Sequence, residues 1–222
     1  MTNGKLDVLV IFEESQEVCK AFRRLGHNAY SCDIKPCSGR FPEWHFQSDI
    51  YQVLFRKKWD IIIGHPPCTA LCVSGNSTYA KGKPKHSERI KAAIFTEGVW
   101  KDCLKITDKV CFENPVGVLT TLTQLPKPQY IQPFEFGHPE PKKTALFLNK
   151  LPKLKPTKIV EPEYIVSGGK KYSRTHYLTD YLAKKFYGQD RATVRSKTYP
   201  GIATAMAEQW SKYALEQTNR TI

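Results

Sequence analysis

Acidic side chains are scarce in this chain: 21 Asp and Glu stand against 34 Lys and Arg over 222 residues, for a formal net charge of +13. An imbalance of that size points to a polyanionic partner. Long apolar runs are lacking as well. No stretch approaches the roughly 18 residues of a membrane helix, so no membrane association is expected. Met1-Thr2-Asn3-Gly4-Lys5 leads straight into a strand without a visible signal peptide, and a cytoplasmic location is expected. Paired cysteines are missing too. The seven cysteines are odd in number and scattered, which argues against a disulfide framework and predicts free thiols. Cys32, Cys37 and His45 lack the paired spacing of a zinc site, and no metal is expected. The 41% hydrophobic content is ordinary, and at this length it suffices for one α/β domain with a sizeable core.

Hydrophobic periodicity places the elements. Residues 6–12 form a first strand, and Glu13 to Gln16 turn out of it. Val18, Cys19, Phe22 and Leu25 keep helical spacing as far as Gly26, a helix stop. Asn28 to Asp33 reads as a second strand, and Trp44-His45-Phe46 as a short extended stretch ahead of Asp49. The apolar run 59–64 is a buried strand. Ser74 to Lys91 reads as a long basic loop and the start of a helix that continues from Ala92 to Cys103. Residues 109–113 form another strand, 120–135 look irregular, and 143–148 form a further strand. Pro152, Pro156, Pro162 and Gly168-Gly169 then break any long element. A last helix runs from about Ile202 to Glu216, with Met206, Trp210, Tyr213 and Ala214 in one apolar stripe.

Strands alternating with helices predict an α/β fold with a doubly wound, mostly parallel sheet. One domain over 1–222 is expected, with 149–190 as a small basic insertion. Residues 149–197 hold twelve Lys and Arg, among them Lys170, Lys171, Arg174 and Arg195, against four acids. In such sheets ligands lie beyond the carboxyl ends of the strands. Glu13–Gln16, Asp33, Asp49, His65–Thr69 and Glu113–Pro115 all fall there.

Two of these clusters carry chemistry. In His65-Pro66-Pro67-Cys68-Thr69 the proline pair removes two backbone donors and ends the strand, which holds a cysteine on a stiff turn. Some 45 residues later, Lys109-Val110-Cys111-Phe112 runs into Glu113-Asn114-Pro115. A thiol and a carboxyl at the ends of two strands of one sheet suit attack on an electron-poor ring. The thiol adds to a ring carbon, and the carboxyl holds or protonates a ring nitrogen. A free thiol titrates near ~8.5, so nearby positive charge is needed, and His65, Lys142 and Arg195 are candidates. Cys72, four residues after Cys68, reads as a packing residue. Lys81, Lys83, Lys85, Arg89 and Lys91 follow the nucleophile directly, in a loop suited to closing over DNA.

In their order along the chain these motifs resemble the C5-cytosine DNA methyltransferase family. The likeness is strongest to its short phage and prophage members, which share Glu13-Glu14-Ser15-Gln16 and His65-Pro66-Pro67-Cys68. The resemblance implies a Rossmann-like class I methyltransferase architecture and a setting in a bacterial or phage-infected host cell. It implies S-adenosylmethionine as cofactor, met by Phe12, Glu13, Glu14, Ser15, Asp33 and Pro66, with Asp49 at the adenine. It casts Cys68 as nucleophile and Glu113 as the base-binding acid, with Asn114 orienting the loop. Phe136 to Thr144 looks like the later basic strand motif, which brings Lys142 and Lys143 to the DNA. Residues 195–210 occupy the place of the closing motif.

Three departures stand out. Glu14 and Gln16 replace the glycines usual in the cofactor turn, which narrows the pocket. Because the cofactor's amino and sulfonium groups are cationic, Glu13 or Glu14 suits its amino group. Lys142 and Lys143 stand where that family favours arginine, which keeps charge but loses the bidentate fork. Only about forty residues separate Leu148 from Gln189, enough to grip phosphates but with little room to read a long sequence. The expected function is therefore DNA (cytosine-5) methyltransfer through a Cys68 adduct, on DNA flipped to reach the base. The alternatives are an enzyme that modifies nucleotides or DNA with another one-carbon donor, and a DNA-binding protein with a decayed active site.

Overall fold

Seven strands form one sheet in the computed structural model, which describes residues 4–174, 177–178 and 196–220. They are β1 (Asp7–Ile11), β2 (Asn28–Asp33), β3 (His45–Gln47), β4 (Ile61–Gly64), β5 (Val110–Pro115), β6 (Gln129–Ile131) and β7 (Thr144–Asn149). Their order across the sheet is 3-2-1-4-5-7-6. β1 to β5 pair in parallel, and β7 runs antiparallel to both β5 and β6. The result is a mixed, mostly parallel, doubly wound sheet, as the alternation of strands and helices predicted.

The strands are apolar on both faces because both faces are covered, as parallel sheets require. Alternate residues of β1 go opposite ways. Val8 and Val10 join a core with Phe22, Met206 and Trp210, which come from helices α1 (Glu17–Arg24) and, as named below, α6. Leu9 and Ile11 join a second core with Trp59, Val99, Trp100 and Phe112. Helix α2 (Tyr51–Leu54), α3 (Asn76–Tyr79), α4 (His86–Ile106) and α5 (Leu119–Leu122) follow in chain order, and α6 (Pro200–Arg220) is the last. Among the described residues no helix is long and apolar enough to cross a membrane.

Several local expectations need correction. Residues 120–135 are not irregular: they hold the end of α5, β6 and a short 3-10 turn at Pro133–Glu135. The prolines there sit outside the strand and inside the turn, where a missing N–H does no harm. The loop expected from 74 contains α3, while α4 starts at His86, inside 74–91 as expected. Gly168-Gly169 does not merely interrupt structure. Both glycines have positive φ (56° and 74°) and turn a hairpin between β8 (Tyr164–Ser167) and β9 (Lys170–Ser173), a conformation that residues with a Cβ adopt at a cost.

Near the end of β7 the chain meets α6. Gly201 N–H donates to His138 Nε2 at 2.9 Å, and a Cβ on Gly201 would collide with the Phe136 carbonyl. His138 thus caps the helix start as a neutral ring, and burial holds its pKa below the ordinary imidazole value. Trp210 is fully buried and donates its indole N–H to Pro152 O at 2.9 Å. Trp210→Ala is expected to lower unfolding free energy by about 3–5 kcal/mol. Ile94 on α4 is 66% exposed, and Ile94→Ala should stay within about 0.5 kcal/mol of wild type. Urea unfolding followed by circular dichroism measures both. Equal effects would show that α6 is not part of the core.

Candidate active site

The turn after β4 carries the candidate nucleophile. His65 N–H continues the parallel ladder to Ile11 O at 3.0 Å, and the two prolines then end it. The chain folds back at Cys68, whose carbonyl accepts the N–H groups of both Leu71 and Cys72 at 2.9 Å. The loop is laced to the segment after β5. Val118 N–H donates to Leu71 O at 2.9 Å and Val73 N–H to Val116 O at 3.0 Å. This close approach is open only to glycine at 117, where a Cβ would lie 2.1 Å from Leu71 O.

Arg89, at the start of α4, fixes the same loop from the other side. Its guanidinium donates to Ala70 O at 2.6 Å, Cys72 O at 3.3 Å and Asn76 Oδ1 at 2.9 Å, and the side chain is buried. The sequence reading placed Arg89 among cations that close over DNA. It is instead a strut for the nucleophile turn, because three carbonyl-type oxygens converge where no solvent reaches. Lys81, Lys83, Lys85 and Lys91 are exposed.

At the neighbouring strand end stands Glu113. His65 Nδ1 and Glu113 Oε2 lie 2.9 Å apart, with side chains 10% and 15% exposed. Burial by itself pushes the Glu113 carboxyl up. The His65 hydrogen bond and charge, with Lys142, outweigh it and hold Glu113 below the ordinary carboxylate value. Burial likewise pulls His65 down, but the hydrogen bond and charge of Glu113, with Glu13, outweigh burial and the opposing Lys142, so its pKa rises. Both shifts favour the imidazolium–carboxylate form of the pair. Asn114 is 1% exposed and donates from Nδ2 to Pro66 O at 2.9 Å, which ties the two strand-end turns together. Among the described residues two buried polar atoms here have no hydrogen-bond partner, His65 Nε2 and Asn114 Oδ1. Such atoms are rare in folded proteins, and a polar ligand would satisfy both.

Cys68 feels Glu113 and Lys142 electrostatically and interacts with Cys72. The two thiols titrate as a pair. Their mutual contact, a Ser74 hydroxyl at 3.0 Å and the Gly75 N–H, against burial, let the first proton leave at about 5, and burial and the thiolate so formed hold the second well above the ordinary thiol value. Cys72 was read as packing. It is indeed buried, and it also shares a proton with Cys68. Ultraviolet thiolate absorbance should titrate with a midpoint near 5. Cys68→Ala removes the largest stabilising contact and should move that midpoint up toward the ordinary thiol value of about 8.5. A midpoint unmoved by Cys68→Ala would separate the two thiols.

The implied cofactor residues divide into two groups. Asp33 ends β2 and accepts the Lys35 N–H at 2.9 Å, while Asp49 follows β3, is exposed, and accepts the Tyr51 N–H at 2.9 Å. Each uses one carboxylate oxygen and keeps the other, which fits an adenosine's hydroxyls and amine. Phe12 is half-buried, with its ring 6.0 Å from that of Phe95, edge to face. The methionine end is less open. Glu13 is 4% exposed and accepts the N–H groups of Val18 (2.7 Å) and Cys19 (3.2 Å), so it occupies the positive end of α1 itself. Burial raises its pKa above the ordinary carboxylate value despite His65 and those two bonds. Ser15 is buried. Glu14 alone of the acid pair reaches outward, and Ser38 Oγ donates to it at 2.6 Å. Gln16 takes φ 60°, the left-handed conformation that a glycine would supply freely. Its amide is held in place by Phe41 O (2.9 Å), Phe41 N–H (3.2 Å) and the Cys37 thiol (2.9 Å).

The candidate DNA contacts are spread out. Lys142 is near Cys68, His65 and Glu113, whereas Lys143 Nζ lies 4.5 Å from the Tyr130 ring centre. Lys170 and Lys171 are exposed on β9, and Arg174 pairs with Glu163 at 3.7 Å. Arg195 lies outside the described residues. Cys32, Cys37 and His45 turn to separate partners, Ser48, Gln16 and Ser31. No protein-family model and no curated protein matches this chain.

Proposed function

We propose that the protein is a DNA (cytosine-5) methyltransferase of the Rossmann-like, class I kind. The observation that carries this reading is the juxtaposition at the ends of adjacent parallel strands β4 and β5. There a turn-held thiol, Cys68, faces a buried carboxylate, Glu113, beside two unpartnered buried polar atoms. The strand order supports it: β3-β2-β1-β4-β5 is the doubly wound order whose ligands lie over the carboxyl strand ends.

The residues divide the work as follows. Cys68 Sγ bonds to C6 of a flipped cytosine while the one proton that the two thiols share passes to Cys72. The C5=C6 electrons shift toward C4, and those of C4=N3 move onto N3, which takes a proton at Glu113. C5 is thereby made nucleophilic. Asn114 Oδ1 and His65 Nε2 meet polar atoms of the ligand. S-adenosylmethionine, when bound, supplies the methyl group to C5. Asp33 and Asp49 would hold its adenosine, and Glu14 rather than Glu13 would reach its ammonium. Water then takes the C5 proton, the C5–H electrons re-form C5=C6, and the C6–S bond breaks to free Cys68. Lys142 and the exposed Lys170 and Lys171 meet DNA phosphates.

The occupied α1 terminus and the pinned Gln16 favour one second reading, in which the same thiol and carboxyl act on DNA with a different one-carbon donor. Both readings predict a covalent adduct. Duplex DNA bearing 5-fluorocytosine should trap protein at Cys68, seen as a mass shift on that peptide. Glu113→Gln should fold normally and slow trapping by about 10²–10⁴-fold. Trapping that survives Cys68→Ser, or is indifferent to Glu113→Gln, would remove these residues from the chemistry.

A further inference from the structure

Protonation of N3 needs a proton source. N3 of cytosine is an acceptor, and Glu113 in the ligand-free protein is an acceptor too. Two lone pairs facing each other repel, so the contact forms only when a proton is brought to it. Solvent is a poor source, because the Glu113 side chain is largely buried. Glu13 is a poor source as well: both of its oxygens already accept backbone N–H groups from α1.

We propose that His65 is the proton reservoir of this site, a positioning residue that acts through Glu113. Its Nδ1 hydrogen, donated to Glu113 at 2.9 Å before the base arrives, passes through the carboxyl to N3 as Cys68 attacks C6. The proposal rests on the cytosine reading and names how Glu113 comes to be an acid.

The balance closes. The Nδ1–H bond breaks and an N3–H bond forms, with Glu113 a carboxylate before and after. Cys68 gives its thiol proton to Cys72 and its sulfur to C6. The imidazolium becomes neutral as the Cys72 thiolate becomes a thiol, so net charge in the site is unchanged. When C5 loses its proton and the C6–S bond breaks, the N3 proton returns along the same path.

The surroundings are arranged for this. Three charged groups face His65 from three elements: Glu113 on β5, Glu13 in the turn after β1, and Lys142 in the segment before β7. The two carboxyls favour the imidazolium and Lys142 opposes it. Glu13 thus has a use away from the cofactor: it keeps His65 charged while the α1 N–H groups hold it in place. An arriving base that draws on Glu113 weakens the carboxylate's hold on His65, which releases the proton when it is needed. His65 Nε2, buried and unpartnered, gives the ring a second contact with the ligand.

Two measurements test the proposal separately from the reading on which it rests. The first is histidine-selective NMR titration of the free protein. His65 should remain protonated above the ordinary imidazole value of about 6.5 and fall back toward it in Glu113→Gln. A His65 that titrates at or below that value in wild type, indifferent to Glu113→Gln, overturns the reservoir. The second is the pH profile of adduct formation with 5-fluorocytosine duplex. The wild-type rate should fall as pH rises through the His65 titration. In His65→Gln, which keeps a donor to Glu113 but carries no transferable proton, the rate at neutral pH should drop by about 10²-fold. The alkaline limb should also move to lower pH. A uniform loss at every pH would mean that His65 only shapes the turn, and would overturn the proposal. A wild-type protein that forms no adduct while His65 titrates as stated would refute the cytosine chemistry, and the relay to N3 with it, but leave the His65–Glu113 proton pair standing.

Discussion

A carboxylate buried beside an imidazolium at the ends of two parallel strands is the interaction on which this structure turns. Taken alone, neither group would stay charged out of water. Glu113 remains a carboxylate because His65 donates to it, and His65 remains charged because Glu113 and Glu13 flank it. Much of the surrounding architecture exists to hold that arrangement. β4 and β5 pair in parallel, with Gly64 opposite Phe112, so that the residues that follow them, His65 and Glu113, come side by side. Asn114 reaches back to Pro66 to lock the two turns, and Gly117 lets the loop beyond β5 close on the Cys68 loop. Arg89 closes the far side with three hydrogen bonds.

The same logic explains the first turn of the sheet. In a glycine-rich turn the N-terminus of the first helix is free for a ligand. Here Glu13 satisfies it, and the positive φ that glycine would have carried falls to Gln16. That strain is tolerated because the Gln16 amide makes three side-chain hydrogen bonds to the segment 37–41. The chain therefore gives up open space at the helix end and gains a second carboxyl facing His65. Asp33 and Asp49 stand at the ends of β2 and β3, where each accepts a single backbone N–H.

Much of this was legible in the sequence, and the pattern of what was not has physical causes. The parallel core announced itself through continuous apolar runs such as 59–64, and the strand-end clusters through polar residues placed just after them. Pro66-Pro67 marked the turn that carries Cys68, since two missing N–H groups cannot extend a ladder. Arg89 was misread because its partners are backbone carbonyls of a loop, and nothing in residue identity shows where a loop's carbonyls point. The pairing of His65 with Glu113 spans 48 residues and depends on strand order, which local spacing does not encode. Gly168-Gly169 was taken for an interruption because a hairpin turn and a break share the same composition. Glu13 and Glu14 were equal candidates for the cofactor's amino group, and what separates them, that Glu13 accepts two α1 N–H groups, turns on which way one buried side chain faces.

The central claim is that this site places a carbon group on C5 of cytosine in DNA, with S-adenosylmethionine as its source. The most direct measurement is mass spectrometry of nucleosides from duplex DNA incubated with the protein, with and without S-adenosylmethionine. The account predicts 5-methyldeoxycytidine with the wild-type protein and S-adenosylmethionine, and none in Cys68→Ala or without the cofactor. A wild-type digest that contains only unmodified deoxycytidine in the presence of S-adenosylmethionine would contradict it.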